Sequence, residues 1–434
     1  SRLYHAFLTG SLLRVASRRG SQDASELLFR IFRRQHLATF RPGLEKLGLT
    51  GLPDAVACAQ YHYLSNQIGG VRVEYMPESD RKAWVRYAPP RWIWEGTAIC
   101  GVTGDMSRAI LRGWHAHNGV TLNNPRLGFV CTKQTPDGQD GLEGYYIEYD
   151  HDLAPEDRLR FSRAEEAPPF DPDKAPKLAT ETWPQARLDK ASRNYTMEYV
   201  RSLIPEAIDL FGPHDAQWLI GGAARLVGMH FYDECRAMLG QTQTGAEAFA
   251  EFFVAMARAG DEVCSNPAER GPIQMMQTGW RLMRGIKPLH PASFDIWNEL
   301  WVGCLAAHDR RFQWSGRVER ERFEFVIGRI PREAFLLRSE TVRAGRDVAR
   351  RPPVARRRHR LLRADPAAPL RCAATPGPRL AADRQRLARR PALRLRRALH
   401  MRDRAAGTGA RAGAHVDRHR RAAAPARQKP HRYG

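Results

Sequence analysis

At 434 residues, with 43% hydrophobic and 9% aromatic content, the chain is long enough for two ordinary domains and too apolar to be disordered throughout. No uninterrupted apolar run approaches the roughly 18 residues of a membrane helix, which excludes a protein spanning a bilayer by helices. The net charge of +22 would suggest nucleic acid, but 27 basic and five acidic residues lie in 341–434, whereas 1–340 hold 42 of each sign.

Residues 1–20 carry Arg2, Arg14, Arg18 and Arg19 and no acid. They read as the start of a surface helix, a transit peptide being the other segment with that composition. Leu27, Leu28, Ile31 and Phe32 recur at the spacing of an amphipathic helix over 21–36. Asp54 opens a second helix to about Gln67, stopped by Gly69-Gly70. Strands are predicted at 71–76 and 83–87, a helix at 105–117, and strands at 127–132 and 142–149 around a Pro136-Asp137-Gly138 turn. Six prolines and many charges in 151–184 read as a linker. The second half repeats the order, with helices at 195–211, 215–239 and 246–259, a strand at 273–277, a helix at 293–308 and a strand at 323–330. Residues 68–96 and 257–285 align without a gap, and His117-Asn118 and His308-Asp309 close corresponding helices. The expected fold class is α+β: two similar helix-plus-antiparallel-sheet domains, 1–150 and 194–335, with a Pro-rich linker at 151–193 between them.

After Phe335 there is no further Phe, Trp or Ile, and Arg, Ala, Pro and His dominate. The tail at 336–434 is expected to be disordered, because it cannot bury enough apolar surface to offset chain entropy. Its composition is what a GC-rich coding region yields when read out of frame. The other reading is a natural basic arm that binds polyanions, including nucleic acid, without sequence specificity. Seven cysteines, an odd number with no Cys-x-x-Cys, suggest neither a disulfide framework nor a zinc ribbon, and a reducing cytoplasm is the expected setting.

A helical front, Trp84 to Tyr87, Pro89-Pro90, a mid-length helix, Asn124-Pro125 with Phe129, and a strand leading to Thr135 and a Gly-rich turn together resemble the L-2-amino-thiazoline-4-carboxylic acid hydrolase-like domain. The resemblance covers residues 24–150 and, more faintly, 195–330. It implies α+β domains and hydrolytic opening of a thiazoline ring on the route to cysteine. Such proteins often carry a cysteine in the closing strand, whereas Leu142 to Tyr149 here contain none.

Four residues are candidates for catalysis. His115 and His117 stand at the end of the predicted 105–117 helix, where residues two apart diverge, so a base at the helix C-terminus is favoured over a metal pair. Cys131 shares a strand face by period two with Phe129 and Lys133, and a neighbouring cation would favour its thiolate. Glu143 and Tyr145 alternate on the closing strand and would supply a general acid and an orienting hydroxyl. Trp114, Trp297, Trp301, Arg281 and His308 complete a substrate-binding set, in which aromatic faces and a guanidinium receive a small carboxylate. His230 lies on an apolar stripe and reads as a core histidine. No metal site and no cofactor is expected, because phosphate loops, dinucleotide fingerprints and zinc-protease motifs are missing. The functional expectation is a small-molecule-binding protein that hydrolyses a C–N bond of a carboxylate-bearing substrate; the alternative is a non-catalytic ligand-binding or sensor protein.

Overall fold

In the computed structural model, which describes residues 2–88, 102–266, 273–319 and 322–331, the elements follow closely the order expected from patterning. Helices α1 (Arg2–Arg19), α2 (Ser21–Lys46) and α3 (Asp54–Ile68) precede the hairpin β1 (Val73–Ser79) and β2 (Lys82–Tyr87). Then come α4 (Gly104–Gly113), a 3-10 turn at His115–His117, α5 (Asn118–Leu122), β3 (Leu127–Lys133), β4 (Leu142–Glu148) and β5 (Leu159–Phe161). The second half comprises α6 (Gln185–Ala216), a π turn at Gln217–Gly221, α7 (Gly222–Met238), α8 (Ala246–Ala259), β6 (Val263–Ser265), β7 (Ile273–Thr278), α9 (Ala292–His308), β8 (Phe312–Glu319) and β9 (Arg322–Arg329). The fold is α+β. The tail at 336–434 lies outside the described residues.

Two sheets result, and their strand orders correspond: β1-β2-β4-β3-β5 in the first half and β6-β7-β9-β8 in the second. All pairings are antiparallel except β3 with β5, which is parallel. In each half two helices cross closely at a glycine. A methyl group on Gly113 of α4 would stand 2.7 Å from the carbonyl oxygen of Phe29 on α2, and one on Gly303 of α9 would stand 2.0 Å from that of Arg225 on α7. Only glycine lets the backbones approach so closely. Beyond the first crossing His36 Nε2 on α2 is bonded to Asn118 Oδ1 at the start of α5 at 3.1 Å, and beyond the second Tyr232 on α7 is bonded to His308 on α9.

Three features differ from the reading of the sequence. Helix α1 is not a surface helix, for Phe7, Leu12 and Val15 are fully buried. The 151–193 segment is no free tether: β5 extends the first sheet, Phe170, Ala175 and Leu178 pack on its core, and α6 begins at Gln185. The helices of the two halves also share one hydrophobic core, in which Leu27 and Met106 join Leu203, Phe252 and Trp297. The described residues accordingly fall in a single compact unit, Ser1–Pro352, while the first sheet keeps a smaller core of its own with α3. A further difference concerns α7, where Ala223, Ala224 and Val227 are buried but His230 faces solvent.

Candidate functional site

Between α1, α2, α3, α6 and the end of α4 lies a cavity of about 560 Å³, within the range of small-molecule sites. Its inner wall carries His62 from α3, His115 from the 3-10 turn, Trp114 and Tyr87. The helix predicted through His117 ends early, at Gly113, and the tighter turn that follows swings His115 inward. His62 and His115 are each 4% exposed, and their rings stack with centroids 4.2 Å apart and planes 11° apart.

Each ring is fixed through Nδ1 by a tyrosine hydroxyl: Tyr87 at 2.9 Å from His62, and Tyr146 at 2.6 Å from His115. Behind His115 runs a hydrogen-bond chain of one consistent direction. Arg33 donates to His36 Nδ1 at 2.8 Å, His36 Nε2 donates to Asn118 Oδ1, and Asn118 Nδ2 donates to Tyr146 at 3.0 Å. With its oxygen accepting from Asn118, Tyr146 has its proton to give to His115 Nδ1, so the neutral ring carries its own proton on Nε2. The chain starts at a guanidinium and polarises every donor after it. Burial holds His36 neutral, its pKa lowered to about 3 with help from Arg33 and His117. Burial also drives the Tyr146 hydroxyl well above the usual tyrosine range, so it serves as a neutral relay.

Trp114 supplies the second feature of this wall. Its indole Nε1 is buried and has no hydrogen-bond partner among the described residues. A buried donor left unmade costs about 1–3 kcal/mol. At the opposite side Tyr199 donates to Tyr195, which donates to Asn66 at 2.9 Å, closing the cavity against α6.

The other residues expected from the sequence fall elsewhere. His117 is turned from the cavity, its Nδ1 2.8 Å from the Arg112 carbonyl oxygen, which ends α4. Cys131 points into the core between sheet and helix, 3% exposed, its thiol donating to the Lys133 carbonyl. A bulge between Cys131 and Lys133 turns the Lys133 ammonium to Glu143 at 3.8 Å, so the cation invoked to activate the thiol lies on the other face of the sheet. Glu143 is fully buried there, accepting from Thr132 at 2.9 Å with Arg86 at 3.6 Å, and it is not on the cavity. Tyr145 shares that face, where it donates to Glu165 at 2.6 Å and packs on Trp84.

In the second half Trp297 and Trp301 line another cavity, of about 340 Å³, with Tyr4, Phe253, Trp280 and Phe294. Arg281 does not open into it; its guanidinium is spent on Asp261, the Gly260 carbonyl and Asn194. His308 bridges Tyr232 and the Gly245 carbonyl and stands apart from both cavities. Among the described residues no three His, Cys, Asp or Glu side chains converge to hold a metal ion. No described helix is long and apolar enough to cross a membrane.

Sequence reasoning missed His62, His36, Asn118, Tyr87 and Tyr146. One signal was available: α3 sets Tyr61, His62 and Asn66 among Ala55, Ala57, Cys58, Ala59 and Leu64, all of them buried, and buried polar groups of that kind must find partners. Compared with known protein families, curated proteins and solved structures, the chain matches none.

Proposed function

We propose that the protein binds a small organic molecule in the first cavity and transfers protons to and from it through His62, with His115 as hydrogen-bond donor. The observation that carries this reading is the unpartnered Trp114 N–H beside two stacked, tyrosine-anchored imidazoles on one buried wall. A carbonyl or ring nitrogen of the ligand would satisfy the indole. The Nε2–H of His115 is the donor for a developing negative charge, and His62 is the base that takes a proton from water. Hydrolysis of a C–N bond fits these roles: water oxygen bonds to carbon as His62 removes its proton, and the His115 Nε2–H donates a hydrogen bond to the negative charge that develops. As the C–N bond breaks, the His62 imidazolium returns its proton to the departing nitrogen, leaving both rings neutral. No thiolate enters, since Cys131 faces the core and burial pushes Cys58 well above the usual thiol range.

The like strand orders of the sheets and the paired glycine crossings support reading the halves as copies of one unit. That order of elements is what the thiazoline-carboxylate hydrolase resemblance rests on. The test is ring opening of 2-amino-thiazoline-4-carboxylate, followed by the appearance of a thiol, with binding measured in parallel. Loss of turnover with binding kept in His62→Phe and His115→Phe supports the assignment. Undiminished turnover in both refutes the acid–base roles. Binding without turnover in the parent makes the protein a ligand sensor instead.

A further inference from the structure

The second cavity is a separate matter. Its walls are aromatic: Phe253 meets Trp301 edge-on at 4.9 Å, Trp297 meets Trp301 at 6.1 Å and 89°, and Trp280 stands 5.8 Å from Phe323. Helices α1 and α6 divide it from the first cavity, α1 giving Tyr4 to one and His5 to the other. Charged groups of both signs line it, namely Arg193 and Asp189 from α6 and Glu262 before β6.

Two of these are built to meet a ligand. Arg193 Nε is buried and without a hydrogen-bond partner among the described residues, while its far end rests 3.3 Å from Asp261. Glu262 is held rigid, accepting from the backbone N–H groups of Arg281 at 2.8 Å and Leu282 at 2.9 Å. Its Oε2 also accepts from Gln277 Nε2 at 3.3 Å, so Oε1, which accepts from Leu282 alone, is the oxygen that keeps a lone pair for another donor. A ligand of one charge would meet one of these groups and leave the group of its own sign unmet in an apolar surround, which is costly.

We infer that this cavity binds a small amphoteric molecule with an apolar or aromatic body, its carboxylate on Arg193 and its ammonium on Glu262. An aromatic α-amino acid has this chemistry. The guanidinium therefore differs from the one anticipated in the sequence, because Arg281 is committed to holding the loop that carries Glu262's partners.

Calorimetry on the full-length chain with L-phenylalanine, phenethylamine and 3-phenylpropionate decides it. L-phenylalanine should bind about tenfold more tightly than either one-charge analogue. Arg193→Met should erase the advantage over phenethylamine, and Glu262→Gln the advantage over 3-phenylpropionate. Trp297→Leu should weaken all three, with melting curves showing that the variants fold. An analogue binding as well as the amino acid, no saturable heat with any of the three, or binding untouched by Trp297→Leu would overturn the inference. The three-ligand comparison on the unmodified chain stands even if a variant fails to fold.

Discussion

His62 and His115 face each other as parallel imidazoles 4.2 Å apart, one delivered by the middle of α3 and the other by the turn that ends α4. Two positive charges at that separation repel by about 4 kcal/mol at an effective dielectric of about 20. Protonating one ring therefore disfavours protonating the other, which suits an arrangement in which one ring takes and returns a proton while the other stays neutral and donates its N–H.

Tyr146 is the link on which this depends. Tyr146→Phe deprives Asn118 Nδ2 of its acceptor and His115 Nδ1 of its donor, both in the dry interior. The expected cost is about 3 kcal/mol, since each orphaned group costs about 1–3 kcal/mol. Urea unfolding checks it, and a loss under about 0.5 kcal/mol would mean that the chain is not formed.

Acid should destabilise the fold through His36, which is 1% exposed, and His5. Burial lowers their pKa values from the ordinary 6.5 to about 3 and about 4. Because the folded values lie below the unfolded one, the neutral rings are favoured by folding. That contribution is complete above pH 6.5 and is lost as pH falls toward 4 and then 3. Each histidine costs about 1.4 kcal/mol per pH unit within its window. Denaturation at stepped pH should show this slope, reduced by one proton's share in His36→Gln.

The two glycine crossings should differ in tolerance. A methyl group at Gly303 meets the Arg225 carbonyl oxygen at 2.0 Å, against 2.7 Å for Gly113 and Phe29. Both obstacles are backbone, so neither can swing aside. Overpacking of this kind costs about 1–3 kcal/mol or more, and Gly303→Ala should melt at a lower temperature than Gly113→Ala.

Cys131 should behave as a core residue. Iodoacetamide should not label it in the native protein but should do so in denaturant. Cys131→Ala should leave any turnover in the first cavity intact, and a parallel loss of activity would restore the thiol to the mechanism.

How much of this was legible beforehand varies by residue. The aromatic run Trp297–Trp301 lies on one face of α9, and that face does line a cavity. Trp114 and His115 were singled out as neighbours in sequence and share the first cavity. His115 and His117 were both placed at the end of a helix through 117 as candidate bases; the helix ends at Gly113 instead, and of the two only His115 lines the cavity. Cys131 and Lys133 were placed on one face by period two, an alternation that a bulge interrupts. Glu143 was read as a candidate general acid on an alternating strand, but the 162–170 segment covers its face, Ala167 donating to it at 3.2 Å.

Apolar periodicity, turn residues and charge placement by themselves determined an α+β chain with a neutral body and an arginine-rich end, because those properties are local and recur every two or every 3.6 residues. Only the tertiary structure decided that the halves share a helical core and that His62 meets His115 across 53 positions of chain. A stacked pair and a directed hydrogen-bond chain depend on where helices cross, and packing of distant segments sets that crossing, here through two glycines.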